Sequence, residues 1–216
     1  MSLTLHFHPL SSFCHKVLIA LYENDTPFTP KLVNLQDDGE RAAFRALWPI
    51  GKFPVLQDSA RDRMVPESGI IIEYLDRHYR GKTRFIPDDP DLARQTRLRD
   101  RFLDLHIHMQ MQKIVGDRLR PADRKDPYGV AQAHDLMDRA LAMLEPAMAD
   151  KTWAMGETFT MADCAAGPAL FYADKVAPLA GKYPNVAAYL GRLTQRPSYA
   201  RALKEAEPYF QYFPKE

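Results

Sequence analysis

The sequence has few cysteines, almost no excess charge and no long apolar run. Its 216 residues include two cysteines, Cys14 and Cys164, which excludes a disulfide scaffold and indicates a reducing compartment, so we expect a cytoplasmic protein. Twenty-nine Lys and Arg against 28 Asp and Glu leave a formal charge of +1, so nucleic acid is not an expected partner. No apolar run approaches the ~20 residues that cross a bilayer. The segment from Met1 to Thr4 lacks a basic stretch followed by a hydrophobic one, so we expect neither a membrane span nor an export signal.

Two hydrophobic patterns divide the chain, whose composition of 46% hydrophobic and 26% charged residues is that of a folded protein. In the first eighty residues, strand and helix signals predict a compact α/β unit of order βαβαββα. Its first two strands are expected to be parallel and its last two to form a hairpin. Pro30 is expected to lie near the start of the second strand, or that strand is expected to be an edge strand. The predicted strands are Leu3 to His8, Phe28 to Leu35, Pro54 to Gln57 and Met64 to Val65, and the predicted helices begin at Ser12, Asp38 and Ser68.

The rest of the chain has a helical pattern. We expect an α/β domain over residues 1–80, a linker over residues 81–90 and an all-helical domain over residues 91–216. The aromatic tail from Tyr209 to Phe213 is expected to pack on the body of the protein. The helices of this part are predicted at Pro90 to Arg120, Pro127 to Met148, Thr160 to Ala173, Val186 to Arg192 and Ser198 to Glu207.

The segment Ser11-Ser12-Phe13-Cys14 lies between the first strand and the first turn of the first helix. Free backbone N–H groups and the helix dipole favour negative charge at such a point. The spacing is that of a C-x-x-C redox motif with serine in place of the first cysteine, which excludes an internal disulfide. A hydroxyl here either caps the helix or donates a hydrogen bond to the thiolate of a bound thiol, and Ser12 competes with Ser11 for that second function. Cys14 is expected to be a small buried apolar side chain.

Two further pairs stand at the start of a strand and of a helix. Phe53-Pro54 begins the third strand, where a cis bond suits a tight turn, although most bonds before proline are trans. With a cis bond, the Phe53 backbone could bind a peptide-like ligand as an added strand does. Glu67-Ser68 opens the third helix and offers an anion site beside an acid, which matches an α-amino acid headgroup, although simple capping explains the pair as well.

In this order and spacing, the three motifs resemble the glutathione transferase superfamily over nearly the whole chain. Ser11-x-x-Cys14 before Val17 looks like the serine-type theta and zeta classes, although Phe13 stands where the zeta pattern has cysteine, which argues against zeta-type isomerase activity. The resemblance implies a thioredoxin-like N-terminal α/β domain and an all-α C-terminal domain, paired in a cytosolic homodimer. It implies glutathione as co-substrate and Ser11 as the catalytic residue, with Ser12 beside it in the glutathione site.

The same resemblance implies how the tripeptide is held. The backbone of Phe53, before a cis Pro54, binds the cysteinyl part. Glu67 and Ser68 bind the γ-glutamyl headgroup, and Lys52 touches the glycyl carboxylate. These assignments follow from the family pattern and from the position of each residue within it.

In the second domain, the resemblance gives Thr160 and Asp163 a structural capping box at a buried helix. It also favours His106, Met109 and Gln112 as lining residues of an apolar pocket for the second substrate, although methionine at helical spacing is more often part of a core. The expected function is therefore attack of a glutathione thiolate on a small hydrophobic electrophile bound in a cleft between the domains.

Other functions fit fewer residues. A relative that keeps the fold without turnover, as a binding or regulatory protein, is the main alternative. An oxidoreductase acting through Cys14 is a third. His6-x-His8 and His106-x-His108 have no acidic or cysteine partner at a metal-ligand spacing, so no metal is predicted.

Overall fold

The computed structural model describes residues 2–214 and has a four-stranded sheet in its N-terminal domain. The sheet order is β2-β1-β3-β4, with β1 parallel to β2 and β3 antiparallel to both of its neighbours. The predicted parallel pair and hairpin are thereby confirmed. Pro30 lies in the exposed edge strand, where a missing N–H donor costs the sheet little. The strands are β1 (Leu3–Phe7), β2 (Thr29–Leu32), β3 (Val55–Asp58) and β4 (Arg63–Pro66).

Three helices complete this thioredoxin-like domain: α1 (Ser12–Glu23), α2 (Asp38–Leu47) and α3 (Ser68–His78). In α1, every residue from Val17 to Leu21 is at most 1% exposed. A helix that is buried on all sides needs neighbours on all sides. The N-terminal domain packs on one side of α1 and the helical domain on the other, so both domains fix the position of its first turn.

The C-terminal domain is helical, as predicted, but its first segment differs from the expected single helix over Pro90 to Arg120. A π-helical turn, Leu103–His108, separates two α-helices there. Short 3-10 turns follow α5 and α9, at Ala122–Arg124 and Glu207–Tyr212. The α-helices are α4 (Pro90–Phe102), α5 (Met109–Arg118), α6 (Pro127–Ala147), α7 (Met161–Asp174), α8 (Pro184–Gln195) and α9 (Pro197–Ala206).

The π-helical turn changes which side chains face the interior. Wider i→i+5 turns interrupt the 3.6-residue repeat and are frequent at functional sites. Here Leu103, Ile107 and His108 are all buried, whereas His106 is exposed. The polar side chain of His108 can be buried because it has a hydrogen-bond partner, Ser12, on α1. The spacing of apolar residues along the sequence does not predict this contact.

Buried polar contacts join the two domains. Lys16 on α1 is fully buried, and its Nζ lies 2.7 Å from carboxylate oxygens of both Asp100 and Asp104. Farther along α1, Glu23 accepts hydrogen bonds from Arg196 and Ser198. Because all these partners belong to the helical domain, the domains meet through specific pairs as well as through apolar packing.

The start of α7 is held by the predicted capping box. The carboxylate of Asp163, which is 0% exposed, accepts hydrogen bonds from the Thr160 N–H (2.8 Å), the Ala154 N–H (2.7 Å) and the Tyr189 hydroxyl (2.6 Å). This confirms that Asp163 is structural, since its oxygens satisfy donors that would otherwise be buried without partners.

The aromatic tail packs back on the protein, as predicted. Phe210 lies against Phe171, Phe213 against Tyr172, and Tyr209 against His8 beyond β1. The tail therefore covers part of the region where β1 leads into α1. Within residues 2–214, none of the helices combines the length and apolarity that crossing a bilayer requires.

Candidate active site

Three chain segments meet at one edge of the sheet. In the register of the sheet, Val55 at the start of β3 lies between His6 near the end of β1 and Pro66 at the end of β4. Because β3 runs against both neighbours, the segment after β1, the segment before β3 and the segment after β4 emerge on the same side. The three motifs singled out in the sequence lie on these segments, so the topology brings them together.

Ser11 is the N-cap of α1. Its backbone is extended (φ −77°, ψ 118°), and its Oγ accepts a hydrogen bond from the Cys14 N–H at 3.3 Å. Among the described residues, no acceptor lies within hydrogen-bond geometry of its hydroxyl proton, although the hydroxyl is near enough to the Cys14 sulfur to act on its pKa. Capping uses a lone pair of the oxygen and leaves the O–H free to donate, so the two functions considered for this serine are compatible.

Ser12 is in a different environment. It is 3% exposed, and its Oγ forms a short hydrogen bond with Nε2 of His108 and lies 3.4 Å from Nε2 of Gln112. Its hydroxyl is thus engaged with the helical domain, whereas Ser11 lies half-buried at the mouth of the helix. The geometry favours Ser11 over Ser12 as the donor to a bound thiol.

Cys14 is a buried side chain, as expected. It is 0% exposed, and burial raises the pKa of its thiol to about 12, although the Ser11 hydrogen bond acts in the opposite direction. A protonated, inaccessible thiol neither attacks nor exchanges disulfides. The structure therefore gives no support to an oxidoreductase mechanism through Cys14.

The peptide bond between Phe53 and Pro54 is cis. Outside helices and strands, no backbone hydrogen bond within residues 2–214 involves Phe53, so its N–H and C=O are available to a ligand. The Phe53 ring is half-buried and stacks on the ring of His8, with centroids 6.0 Å apart.

Glu67 and Ser68 form the start of α3. Glu67 has a φ of +68°, a left-handed conformation that costs a residue with a side chain roughly 1–3 kcal/mol and that clusters at binding sites. Its carboxylate is exposed and pairs with none of the described side chains. Ser68 is buried as the first residue of the helix, and the first backbone N–H in this turn to find a partner is that of Ile71. The Glu67 carboxylate thus lies next to a helix N-terminus whose first backbone N–H groups have no partner among the described residues.

The remaining predicted residues lie at varying distances from this edge. Lys52 is exposed one residue before Phe53. Gln112 reaches the start of α1 through Ser12, and Met109 is half-buried. His106 is exposed beside the Phe102 ring, and no contact among the described residues joins it to the start of α1. The lining of the electrophile pocket therefore stays a prediction for these three side chains of the helical domain.

The structural importance of His108 is not visible in the sequence, where this residue stands only as part of the His106-x-His108 pair. Its ring stacks on Phe13 with centroids 3.9 Å apart, and its Nε2 bonds Ser12. Burial lowers the pKa of His108 to about 3, with Lys16 and His15 acting in the same direction, so the ring is neutral. No local signal identifies this contact, because it joins residues 96 positions apart.

Together these groups favour an anionic sulfur on a peptide-like ligand. A hydroxyl donor and a helix N-terminus both stabilise a thiolate, and lowering a thiol pKa from ~8.5 to ~6.5 needs about 2.7 kcal/mol. One charge-assisted hydrogen bond with a helix dipole is of that order.

Comparisons with known proteins identify the family and the fold. Residues 5–83 match the family model described as "Glutathione S-transferase, N-terminal domain", and residues 127–192 match "Glutathione S-transferase, C-terminal domain". A glutathione S-transferase of Hyoscyamus muticus is 26% identical over 94% of this chain and 99% of its own length. A stringent starvation protein A homolog of Coxiella burnetii is 26% identical over 95% of this chain and 93% of its own. A glutathione S-transferase from Methylobacillus flagellatus, solved with glutathione bound, has the same fold, with a TM-score of 0.84 at 24% identity over 93% of this chain and 98% of that one.

Proposed function

This chain belongs to the glutathione S-transferase family, and from that premise we propose that it activates the thiol of glutathione for attack on a small hydrophobic electrophile. The single observation that carries the proposal is Ser11. It caps α1 with its oxygen, and within residues 2–214 no hydrogen bond engages its hydroxyl proton, which can therefore donate to a ligand. Ser11 is the catalytic residue, and its position supports a serine-type, theta- or zeta-like enzyme.

Glutathione is the co-substrate and binds along the shared edge. The free backbone of Phe53 holds the cysteinyl part, as an added strand would. Glu67 pairs with the ammonium of the γ-glutamyl headgroup, whose carboxylate meets the N-terminus of α3 at Ser68. The exposed ammonium of Lys52 reaches the glycyl carboxylate. Each contact pairs opposite charges or satisfies a free backbone group.

In the reaction, the helix start and the Ser11 hydroxyl stabilise the thiolate, and the bound tripeptide aims its sulfur at the second substrate. The C–S bond forms with the sulfur lone pair, while the electrophile loses a leaving group or takes up a solvent proton. Ser12 and His108 keep the first turn of α1 in place. The chain would act in the cytoplasm, where glutathione is abundant and Cys14 and Cys164 stay reduced.

The test is a titration of bound glutathione followed by the ultraviolet absorbance of its thiolate. We expect a midpoint about 2 pH units below that of free glutathione, together with turnover of 1-chloro-2,4-dinitrobenzene. Tight binding with the midpoint of free glutathione and no turnover would instead support a non-catalytic binding or regulatory protein.

We also propose that the chain pairs with a second copy through α3 and α4. These helices are joined by a two-pronged ion pair between Glu73 and Arg97, at 2.8 and 2.9 Å. Around it, Ile70 is 55% exposed, Leu98 is 62% exposed and Met64 on β4 is 39% exposed. Large apolar side chains that are exposed on neighbouring elements are a feature of protein interfaces.

Leu98→Arg is expected to convert the dimer to a monomer, because it places a charge in an apolar interface. Sedimentation velocity measures the change. Leu119→Arg is the matched control, since Leu119 is also exposed but lies at the end of α5 outside this face. A wild-type chain that sediments as a monomer at high concentration would contradict the proposal.

A further inference from the structure

His8 is a titratable side chain for which the reaction above has no use. It follows the last residue of β1 and is half-buried between two aromatic rings. The ring of Phe53 stacks on one face, 6.0 Å away at an interplanar angle of 19°. The ring of Tyr209, from the C-terminal tail, meets it edge-on at 5.3 Å and 78°. The imidazole thus lies between the sheet edge and the tail.

The hydrogen bond to the His8 ring shows which ring nitrogen carries the proton. Nδ1 accepts a hydrogen bond from the Leu10 N–H at 3.2 Å, so a neutral His8 carries its proton on Nε2. Burial lowers the pKa of His8 below its ordinary value, which favours that neutral form. Within residues 2–214, the Nε2 atom has no hydrogen-bond partner and is not fully buried. Its N–H is therefore able to donate to a ligand.

The position of this donor follows from its neighbours. The Ser11 N–H donates to the His8 carbonyl at 2.9 Å, so the two residues close one tight turn. The Phe53 ring that stacks on His8 belongs to the residue whose backbone is free for the cysteinyl part of glutathione. His8 is consequently flanked by both groups that would hold the reacting sulfur.

Resting on the function proposed above, we propose that His8 is a catalytic residue for the second substrate and that this substrate is a planar conjugated carbonyl compound. The sulfur lone pair forms the C–S bond to the β-carbon, the C=C pair moves to the adjoining bond, and the carbonyl pair moves onto oxygen. The Nε2–H of His8 donates to that enolate oxygen. A solvent proton, equal in number to the one released when the thiol ionised, then adds to the α-carbon.

The surroundings of His8 suit this task. A neutral imidazole is a hydrogen-bond donor that stabilises developing oxyanion charge without itself being an acid strong enough to protonate the thiolate. The rings of Phe53 and Tyr209 beside the imidazole make its surroundings aromatic and apolar, which suits a flat conjugated acceptor. An alkyl halide expels its charge on the halide and presents no such oxygen, so it does not need the donor.

The test compares two substrates in His8→Phe, which keeps an aromatic ring between Phe53 and Tyr209 but removes the N–H. We expect kcat/KM for 4-phenyl-3-buten-2-one, relative to that for benzyl chloride, to fall about 10-fold or more, as when an oxyanion donor is lost. The thiolate midpoint of bound glutathione is expected to stay that of the wild type. The matched control is His78→Phe, because His78 is an exposed histidine beside Tyr74 on α3. This variant is expected to leave the ratio of the two kcat/KM values unchanged.

The outcomes separate the two proposals. An equal fall for both substrates, or an unchanged ratio, overturns the role of His8 while the function stands. A wild-type enzyme that turns over benzyl chloride but not the enone overturns the substrate class in the same way. A wild-type chain that neither ionises bound glutathione nor turns over either substrate overturns the proposed function itself.

Discussion

Ser11→Gly is expected to return the pKa of bound glutathione to nearly that of the free thiol and to lower kcat/KM about 100-fold. The substitution removes the O–H donor that the structure leaves free at the start of α1. Glycine is tolerated at a helix N-cap at a cost of only a few tenths of a kcal/mol, so the fold is expected to survive. The thiolate titration and steady-state kinetics measure the two effects, and urea unfolding measures stability.

Ser12→Ala is the matched control for this experiment, because it removes a neighbouring hydroxyl that bonds His108 instead of facing a ligand. We expect a lower free energy of unfolding, by about 1–2 kcal/mol, since the His108 ring loses its partner inside the protein. The thiolate midpoint should remain low. If Ser12→Ala abolishes the thiolate and Ser11→Gly does not, the assignment of the two serines is reversed.

Lys16→Met is expected to lower the free energy of unfolding by about 3–5 kcal/mol, the cost of breaking a buried ion pair by removing one partner. Methionine fills similar space, so the loss reports the charge. The Lys16 ammonium is fully buried and lies 2.7 Å from carboxylates of Asp100 and Asp104. Without it, two negative charges face each other at the domain interface. Urea denaturation gives the difference.

The pH dependence of this loss has a definite sign. In the wild type, burial raises the pKa of Asp100 to about 6, with the charge of Asp104 acting in the same direction and Lys16 opposing both. Removing Lys16 raises the pKa of that folded carboxylate further above the unfolded value of ~3.9. The folded state then binds more protons than the unfolded state, so stability increases as the pH falls. We expect the deficit of Lys16→Met to be smaller near pH 5 than near pH 8.

Two further variants check the electrostatic origin of the effect. Adding Asp100→Asn and Asp104→Asn to Lys16→Met is expected to restore most of the stability, because the unpaired charges are gone. Lys82→Met removes an exposed lysine whose Nζ lies 3.7 Å from Asp25, and no measurable loss is expected. A pH-independent loss that the asparagines fail to restore would indicate that Lys16 acts through packing alone.

Features encoded within a few residues were predictable. The alternating apolar pattern and the turn residues of the first eighty residues predicted the order of strands and helices. Pro30 predicted either an edge strand or a position near the start of the strand, and the structure has it in an edge strand. The resemblance to the family implied the capping box of Thr160 and Asp163, which the structure confirms. In each case, backbone sterics or a contact between near neighbours decides the outcome. The helical character of the second half follows in the same way from its 3.6-residue period.

Features that depend on the meeting of distant segments were not predictable. The helical pattern after Pro90 is continuous and does not predict the π-helical turn. In that turn His108 bonds Ser12 of the other domain, and a contact between distant residues leaves no trace in local spacing. The open N–H of His8 depends on the Leu10 N–H and on rings from Phe53 and the tail. Sequence spacing carries no information about which of several histidines finds such partners.

The sequence by itself determined the two kinds of domain and the three short motifs that a thiol-activating site requires. These features depend on apolar periodicity and on turn and capping residues, which involve neighbours within one or two turns of the chain. Only the tertiary structure decided that Ser11 stays half-buried while Ser12 is buried against His108, and that Lys16 pairs with two carboxylates of the other domain. These differences arise when the helical domain packs on α1, because the burial and the hydrogen-bond partners of Ser12 and Lys16 then depend on residues roughly ninety positions away.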